Sequence, residues 1–313
     1  MKAFLIRRLI QACVVLLGVS IVVFTLLHLL PGGPARAVLG LHATKVAVLA
    51  FDQRYGLLDP LPVQYIAWVG QLIHGNLGFS YKQNQSVDSL LAENIPRTLA
   101  LVGVSTPLAL LIAVPAGVYQ GVRRNRPADY MLTSLSFIFY SMPSFFLGTV
   151  LIIVFSQFLP LLPSGGPSAT EPLWQQVPNL VLPILTLTLI TIALFSRYMR
   201  SSVIENLVQD YVRTARSKGV SHRVILFRHV LPNAMLPIIT LVGLSLPGIL
   251  SGALITEALF NYPGMGLLFW NAAQTDDFPV MLGATLVVGV AVVLGSLLAD
   301  VLYAVFDPRV RYS

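Results

Sequence analysis

The stretch Thr98–Gln120, "TLALVGVSTPLALLIAVPAGVYQ", runs 23 residues without an Asp, Glu, Lys or Arg. A helix needs about 20 apolar residues to cross a hydrocarbon core about 30 Å thick. The apolar residues form one block, with neither the alternation of a half-buried strand nor the single stripe of an amphipathic helix. The stretch therefore reads as a lipid-spanning helix. Five more charge-free runs accompany it, near residues 9–30, 131–158, 177–196, 234–256 and 280–299. The chain as a whole has 313 residues, of which 56% are hydrophobic and 11% charged, with a mean hydropathy of +0.78. That is more apolar surface than one soluble core absorbs. The expected fold is all-α and integral to the membrane, with six transmembrane helices in contact with lipid.

The first run follows Lys2, Arg7 and Arg8, as a secretory signal would. It is too long for a signal core and lacks a small-x-small exit, so it reads as an uncleaved first helix. Its Cys13 is the sole cysteine, which excludes a disulfide framework and a Cys-based metal site and reads as a small apolar packing residue.

Charge then orients the helices. If the N-terminus lies inside, six spans return the C-terminus to the same side. The inner segments then carry Lys2, Arg7, Arg8, Arg123, Arg124, Arg126, Arg197, Arg200, Arg213, Arg216, Lys218, Arg223, Arg228, Arg309 and Arg311, which is 15 of the 20 bases. Eight of the 13 acids fall outside. Cytoplasmic loops carry the Lys and Arg excess, so the expected topology is N-in, C-in. This asymmetry accounts for the net charge of +7 without nucleic acid as a partner.

Three parts follow: residues 1–30 as tail and first helix, 31–97 as an external segment, and 98–313 as a core of five further helices. In the external part, Pro60 and Pro62 predict a break before a short amphipathic helix from Val63 to Ile73, closed by Gly75 and Gly78. Its Tyr65 and Trp68 belong either at the lipid headgroups or in a small lobe. His28 reads as a hydrogen-bonded packing residue. Pro143 falls mid-run in the third span, Pro183 in the fourth, and Pro237 and Pro247 in the fifth, each a candidate kink. Gly and Ser in the last two spans, among them Gly283 and Gly289, allow close helix approach or leave room for a path.

Several chemistries are absent. No GxxxxGK[ST] phosphate loop, HExxH or paired-cysteine motif occurs, so no catalytic residue, metal or ATP site is expected on this chain. No run carries an ionisable group at its middle, and only Asp300 comes close, at the end of the last. Ion-coupled carriers use such groups as relays, so the energy is expected from elsewhere.

The loop near residues 197–233 holds seven bases, and its internal order goes beyond charge. "DYVRTARSKG", from Asp210, reads as a short helix with Tyr211, Val212 and Ala215 on or beside one face and Arg213 and Arg216 at i, i+3. Gly219 sits where a left-handed C-cap is wanted. Ser221 is the expected N-cap of a second helix, "HRVILFRHVL", stopped by Pro232. Two short helices joined by a glycine suit docking into a partner's groove.

"RTARSKGVSHRVILFRHVLP" resembles the cytoplasmic loop of ABC importer permeases, whose pattern is EAA, three residues, Gly, nine residues, Ile, one residue, Leu-Pro. Arg213, Thr214 and Ala215 stand at the EAA positions, Gly219 at the glycine, His229 at the isoleucine, and Leu231 and Pro232 at the end. Arg for Glu and His for Ile depart from the general pattern, and "YVRTARSKG" is similar to the variant of the dipeptide, oligopeptide and nickel branch. "GLLDPLPVQY", "GNLGFSY", "EALFNYPGMG" and "DPRVR" resemble the same branch. Gly33 and Asn76 stand where that branch usually has Asp, which removes any role for those carboxylates here. The long external segment resembles the first of the branch's two homologous permeases.

The resemblance implies a transport subunit in the cell membrane, paired with a homologous permease. Two ABC ATPase subunits beneath would hold ATP and Mg, and an extracytoplasmic binding protein would deliver substrate above. In this reading Tyr211, Val212 and Ala215 enter an ATPase groove, Arg213 and Arg216 pair with carboxylates at its rim, and Gly219 permits the turn. Glu257, Tyr262, Gly264 and Gly266 shape the external mouth, although a plain interfacial turn reads equally well there. Tyr140, Ser141, Ser245, Ser251 and Asn271 line the path, chosen for polarity within or beside apolar helices. Peptides are the expected cargo, with nickel, haem or another small solute as alternatives. From other classes, an autonomous carrier or channel and a membrane scaffold remain open.

Overall fold

The computed structural model describes the backbone of residues 2–29, 35–36, 39–40, 42–166 and 173–306, and their side chains except at 2–6, 9, 27, 173–175, 244–252 and 298–306. Helices dominate because a backbone in lipid has no water to bond and must satisfy its own amides. In order they are α1 (Lys2–His28), α2 (Lys45–Arg54), α3 (Leu61–Ile73), a hairpin of β1 (Phe79–Ser80) and β2 (Gln85–Ser86), α4 (Val87–Val122), α5 (Pro127–Ser141) and α6 (Ser144–Ile152). A π-helical turn, Ile153–Phe158, extends α6. Then come α7 (Leu173–Leu207), α8 (Asp210–Ser217) and α9 (His222–Val224), a second π-helical turn (Ile225–Val230), α10 (Leu231–Leu259), α11 (Met265–Gln274) and α12 (Phe278–Phe306).

Each of the six apolar runs falls on helix. Among the described residues, four helical stretches are long and apolar enough to cross a membrane, within 87–122, 176–207, 222–243 and 278–297. The third run, expected as one kinked span, is two helices. α5 and α6 meet at 104° across Met142 and Pro143, and counting the pair as one broken span makes five. Met142 is extended (φ −79°, ψ 128°), as a residue before proline prefers, and Pro143 then precedes the first turn of α6. Pro178 and Pro183 lie inside α7 without ending it. In α1 the described apolar stretch is Ile10–Leu26, and Cys13 is exposed there instead of packed.

The chain divides into two compact units, residues 1–98 with 263–293, and 99–262 with 294–313. In the first, Val87 and Leu91 of α4 pack on Leu268 of α11 and Val280 and Ala284 of α12. A Cβ on Gly283 would lie 2.6 Å from Val87 Cγ1, so here the small residue serves close packing. Phe24 of α1 is buried with Phe278 and Leu282, and Tyr65 and Trp68 of α3 pack against them. The lobe reading of those two aromatics therefore holds over the headgroup one. Tyr65 also hydrogen-bonds Ser20, at 2.7 Å, and Ser80 of the hairpin donates to Asp277.

In the second unit, Ala113 of α4, Phe195, Met199 and Val203 of α7, and Ala234 and Ile238 of α10 form one core. Gly117 and Gly121 of α4 bring α7 close. A Cβ on Gly117 would stand 2.5 Å from Met199 Cβ, and one on Gly121 2.7 Å from Val203 Cγ1. A G-x-x-x-G spacing thus places a flat strip of α4 under the ridge of α7.

Candidate functional site

The first part of the segment expected as a basic loop is helical: α7 continues to Leu207 and carries Arg197 and Arg200. α8 ends in the two bonds of a Schellman motif, Gly219 N–H to Arg216 O at 3.0 Å and Val220 N–H to Ala215 O at 3.2 Å. Gly219 has φ +71°, a left-handed geometry that costs a Cβ-bearing residue about 1–2 kcal/mol. Ser221 occupies the N-cap position in extended geometry but makes no side-chain cap bond. Pro232 does not stop the second helix, which runs on into α10. Proline lacks an N–H and its ring crowds the carbonyl four residues back, and the wide π-helical turn immediately before it accommodates both.

The direction of α8 reverses part of the expectation for this loop. Val212 and Ala215 are buried, and they enter the chain's own core beside Met199, Val203, Ile225 and Val230. They are not available to a partner's groove. The reason is amphipathicity: the two apolar residues lie three apart on one face, and the nearest apolar surface is the α7–α10 seam. The outward face carries Arg213, Thr214, Arg216 and Lys218, with Arg213 paired to Asp210 at 3.3 Å. Tyr211 is partly exposed and donates to Asn206 Oδ1 at 2.7 Å. Its loss of solvent raises the phenol pKa, partly offset by a hydrogen bond with Asn233.

Sequence reading missed the apolar residues that do face outward. Val224, the last residue of α9, is 43% exposed, and Phe227, on the π-helical turn that packs beside α8, is 63% exposed. Arg223 and Arg228 flank them, also exposed. The signal was present in "HRVILFRHVL": Val224 and Phe227 are three apart, opposite the buried Ile225 and Val230.

The other overlooked element joins α5 to α7. Arg200 grips Asp129 with two bonds, Nε to Oδ1 at 2.7 Å and a terminal nitrogen to Oδ2 at 2.8 Å. Asp129 also accepts from the Asn125 amide at 3.0 Å and the Thr133 hydroxyl at 3.3 Å. One turn away Arg197 lies 4.6 Å from the ring centres of both Phe137 and Tyr140, and Ser136 and Ser196 pair at 3.2 Å.

The residues expected at the external mouth are buried. Glu257 is 0% exposed near the end of α10, and its carbonyl accepts the Tyr262 amide at 2.8 Å. Asn261, with φ 51°, turns the chain out of the helix. Tyr262 packs on Leu101, Leu187 and Ala253. In the first unit Gly264 is the N-cap of α11 and with Gly266 flanks Met265, whose amide donates to Thr98 Oγ1 at 2.8 Å. Gly264 and Gly266 are buried in the first unit, and Glu257 and Tyr262 are buried in the second. Of the expected path residues, Tyr140 and Ser141 are exposed at the end of α5 and Asn271 is exposed on α11 in the other unit. Ser245 and Ser251 lie on α10, with side chains outside the described residues. Gly33 lies outside them as well. Asn76 accepts from the Gly78 amide at 3.0 Å, a turn-closing bond open equally to Asp.

Comparison with known proteins agrees with this architecture. Residues 113–312 match the binding-protein-dependent transport system inner membrane component family, and residues 1–102 match the N-terminal part of such membrane components. The chain belongs to this family and is a multi-pass membrane protein. Within it, the chain is 38% identical to the oligopeptide transport system permease protein AppB of Bacillus subtilis and 33% identical to the dipeptide transport system permease protein DppB of Alkalihalophilus pseudofirmus, in each case over all of both chains. A chain of the MetNI methionine ABC transporter in an inward-facing conformation superposes with a TM-score of 0.58 at 19% identity, covering 70% of this chain and 96% of that one. At that identity the likeness shows the fold alone.

Proposed function

We propose that the chain is one of two homologous membrane subunits of an ATP-driven importer, forming half of a path for peptides. The observation that carries this reading is full-length similarity to permeases named for oligopeptides and dipeptides, which favours peptides over nickel. In this reading six spans cross the membrane with both termini inside. An extracytoplasmic binding protein delivers peptide, and two partner ATPases hold ATP and Mg and perform the hydrolysis, leaving this subunit without catalysis of its own.

The outward face of α8 and the turn after it dock on the ATPase. Phe227, Val224 and Tyr211 supply apolar contact, while Arg213, Arg216, Arg223 and Arg228 meet acidic groups around it. Val212 and Ala215 act one step inward. They tie α8 to Met199 and Val203 of α7 and to the start of α10, so a push on α8 moves packed helices as a body. Glu257, Tyr262, Gly264 and Gly266 shape the external end as a buried support, and Tyr140, Ser141, Ser245, Ser251 and Asn271 remain the path candidates.

Co-expression with the neighbouring transport subunits tests the assignment. A purified complex containing a second permease and ATPases, importing peptide into proteoliposomes only with ATP and binding protein, is the expected result. Peptide transport by the purified chain alone, without ATP, would make it an autonomous carrier instead.

A further inference from the structure

α3 has 13 residues, none of them Asp, Glu, Lys, Arg or His, and none buried in the chain. Its length, about 20 Å, is too short to cross a hydrocarbon core about 30 Å thick. Its polar side chains share one side. Gln64 donates to the carbonyls of Leu57 at 3.0 Å and Asp59 at 2.7 Å, and Gln71 follows seven residues on, two turns along the same side. Opposite them runs an apolar stripe at helical spacing, Pro62, Ile66, Val69 and Ile73, in which Ile66 is 69% and Ile73 79% exposed. At the helix ends backbone groups find partners in the chain. The Pro60 carbonyl takes the Val63 and Gln64 amides, Asn76 and Gly75 bond the Gln71 and Leu72 carbonyls, and His74 Nδ1 lies 2.7 Å from the Gly70 carbonyl. A backbone removed from water requires such partners.

Two neighbouring helices give the depth of α3. Tyr65 bonds Ser20 of α1, which stands 12 residues past Arg8, the last charge before the apolar run. That is about 18 Å along the helix, leaving about 12 Å of the hydrocarbon core above it. Trp68 lines a narrow gap with the same Ser20 and with Leu286 of α12. Leu286 stands eight residues past Phe278, where the apolar stretch of α12 begins, which is again about 12 Å from the outer end. Both helices thus set Tyr65 and Trp68 well below the outer surface of the core. At the same level Val22 and Leu26 of α1 are exposed, so the stripe on α3 lies at the depth of an apolar surface that already faces acyl chains.

We infer that α3 is embedded in the outer leaflet, with lipid acyl chains covering Ile66 and Ile73, and that it moors the external segment to the membrane. Helices that lie in a membrane interface usually turn a charged face to water. Here the protein takes the place of that water, through Ser20, Phe24 and the carbonyls that hold Gln64. The inference rests on the topology of the proposed importer subunit, with α1 and α12 crossing the membrane, and is independent of ATP, binding protein and cargo.

The test uses the full chain in nanodiscs, in a Cys13→Ser background, with single cysteines at Ile66, Ile73 or the exposed Lys82 of the hairpin turn, each carrying a bimane label. Labels at Ile66 and Ile73 are expected to lose most of their fluorescence to phosphatidylcholine brominated along its acyl chains and none to aqueous iodide, and the label at Lys82 is expected to do the reverse. The same readings on the assembled complex, with and without binding protein, separate lipid from a protein occupant: retained bromine quenching supports lipid, whereas its loss on assembly would give the face to a partner and overturn the inference. Iodide quenching at Ile66 and Ile73 would also overturn it, since the helix would then stand in water. An impermeant maleimide should label Lys82→Cys in intact spheroplasts. Labelling only after lysis would overturn the topology, a failure that the bromine reading does not share.

Discussion

The bond between Asp129 and Arg200 is expected to hold the second unit together, and its removal has a calculable cost. Asp129 is 1% exposed and receives four donors, two of them from Arg200. Breaking a buried ion pair by deleting one partner costs about 3–5 kcal/mol, chiefly because a charge is left buried and unpaired. The Arg200 side chain remains 27% exposed, so after Asp129→Ala the guanidinium regains part of its hydration, and about 2–3 kcal/mol is the expected loss. This is roughly a 30- to 150-fold shift in the folded-to-unfolded ratio. Arg200→Met should cost at least as much, since the deeper Asp129 then keeps only the Asn125 amide and the Thr133 hydroxyl. Asp129→Ala with Arg200→Met should cost far less than the two singles together, by about 1.5 kcal/mol or more. Equilibrium unfolding of the purified chain in mixed micelles, with SDS as denaturant, measures all four corners of the cycle. Additivity within about 0.5 kcal/mol would refute the pair as a clamp and leave it a tolerated surface contact.

Three further outcomes follow from the same geometry. Gly117→Leu and Gly121→Leu should each destabilise the chain by about 1–3 kcal/mol in the same unfolding assay, because the new Cβ meets Met199 or Val203 at 2.5–2.7 Å, whereas Gly103→Leu, with nothing within 4 Å, should be nearly neutral. A cysteine at Thr214 or Phe227 should cross-link to the ATPase, and Phe227→Asp should cut ATPase co-purification about tenfold, as loss of a buried aromatic anchor does; a cysteine at Val212 should resist both partner and aqueous reagents until the chain unfolds, and ready labelling of the native chain would show that α8 faces the other way. Lost solvation and a hydrogen bond with Tyr55 push the Tyr81 phenol up from its ordinary 10.0 to about 12. A raised pKa means the folded state keeps a proton that the unfolded state has released, so this contribution is complete below pH 10 and is lost as pH rises through 12. Tyrosinate absorbance should accordingly show a late phenol that Tyr81→Phe removes.

Properties that reside along the chain are legible in the order of its residues. The length of the charge-free runs is set by bilayer thickness, so all six can be located, and each falls on helix. Gly219 is recognisable as a left-handed cap and Pro60 with Pro62 as the start of α3, because capping and turn chemistry depend on a few adjacent residues. The pattern from Arg213 to Pro232 carries the family for the same reason. Reading Pro143 as a kink is sound as far as local stereochemistry goes, but the 104° bend depends on what α5 and α6 pack against.

What only the tertiary structure decided is which way side chains face and which distant residues meet. Val212 and Ala215 have the pattern of a docking face, and α7 and α10 claim them for the core. Phe227 is one apolar residue among many in the sequence, and the burial of Ile225 and Val230 turns it outward. Asp129 and Arg200 are 71 positions apart, and neither bears a local mark of the other. Tyr65 of α3 likewise finds its partner far away in sequence, at Ser20 of α1. Helix length, capping and charge bias are sums over neighbours in sequence, so the sequence alone determines them. Facing and pairing are settled when helices compete for the same apolar surface and for the few donors available away from water, a contest that exists only once the chain has packed.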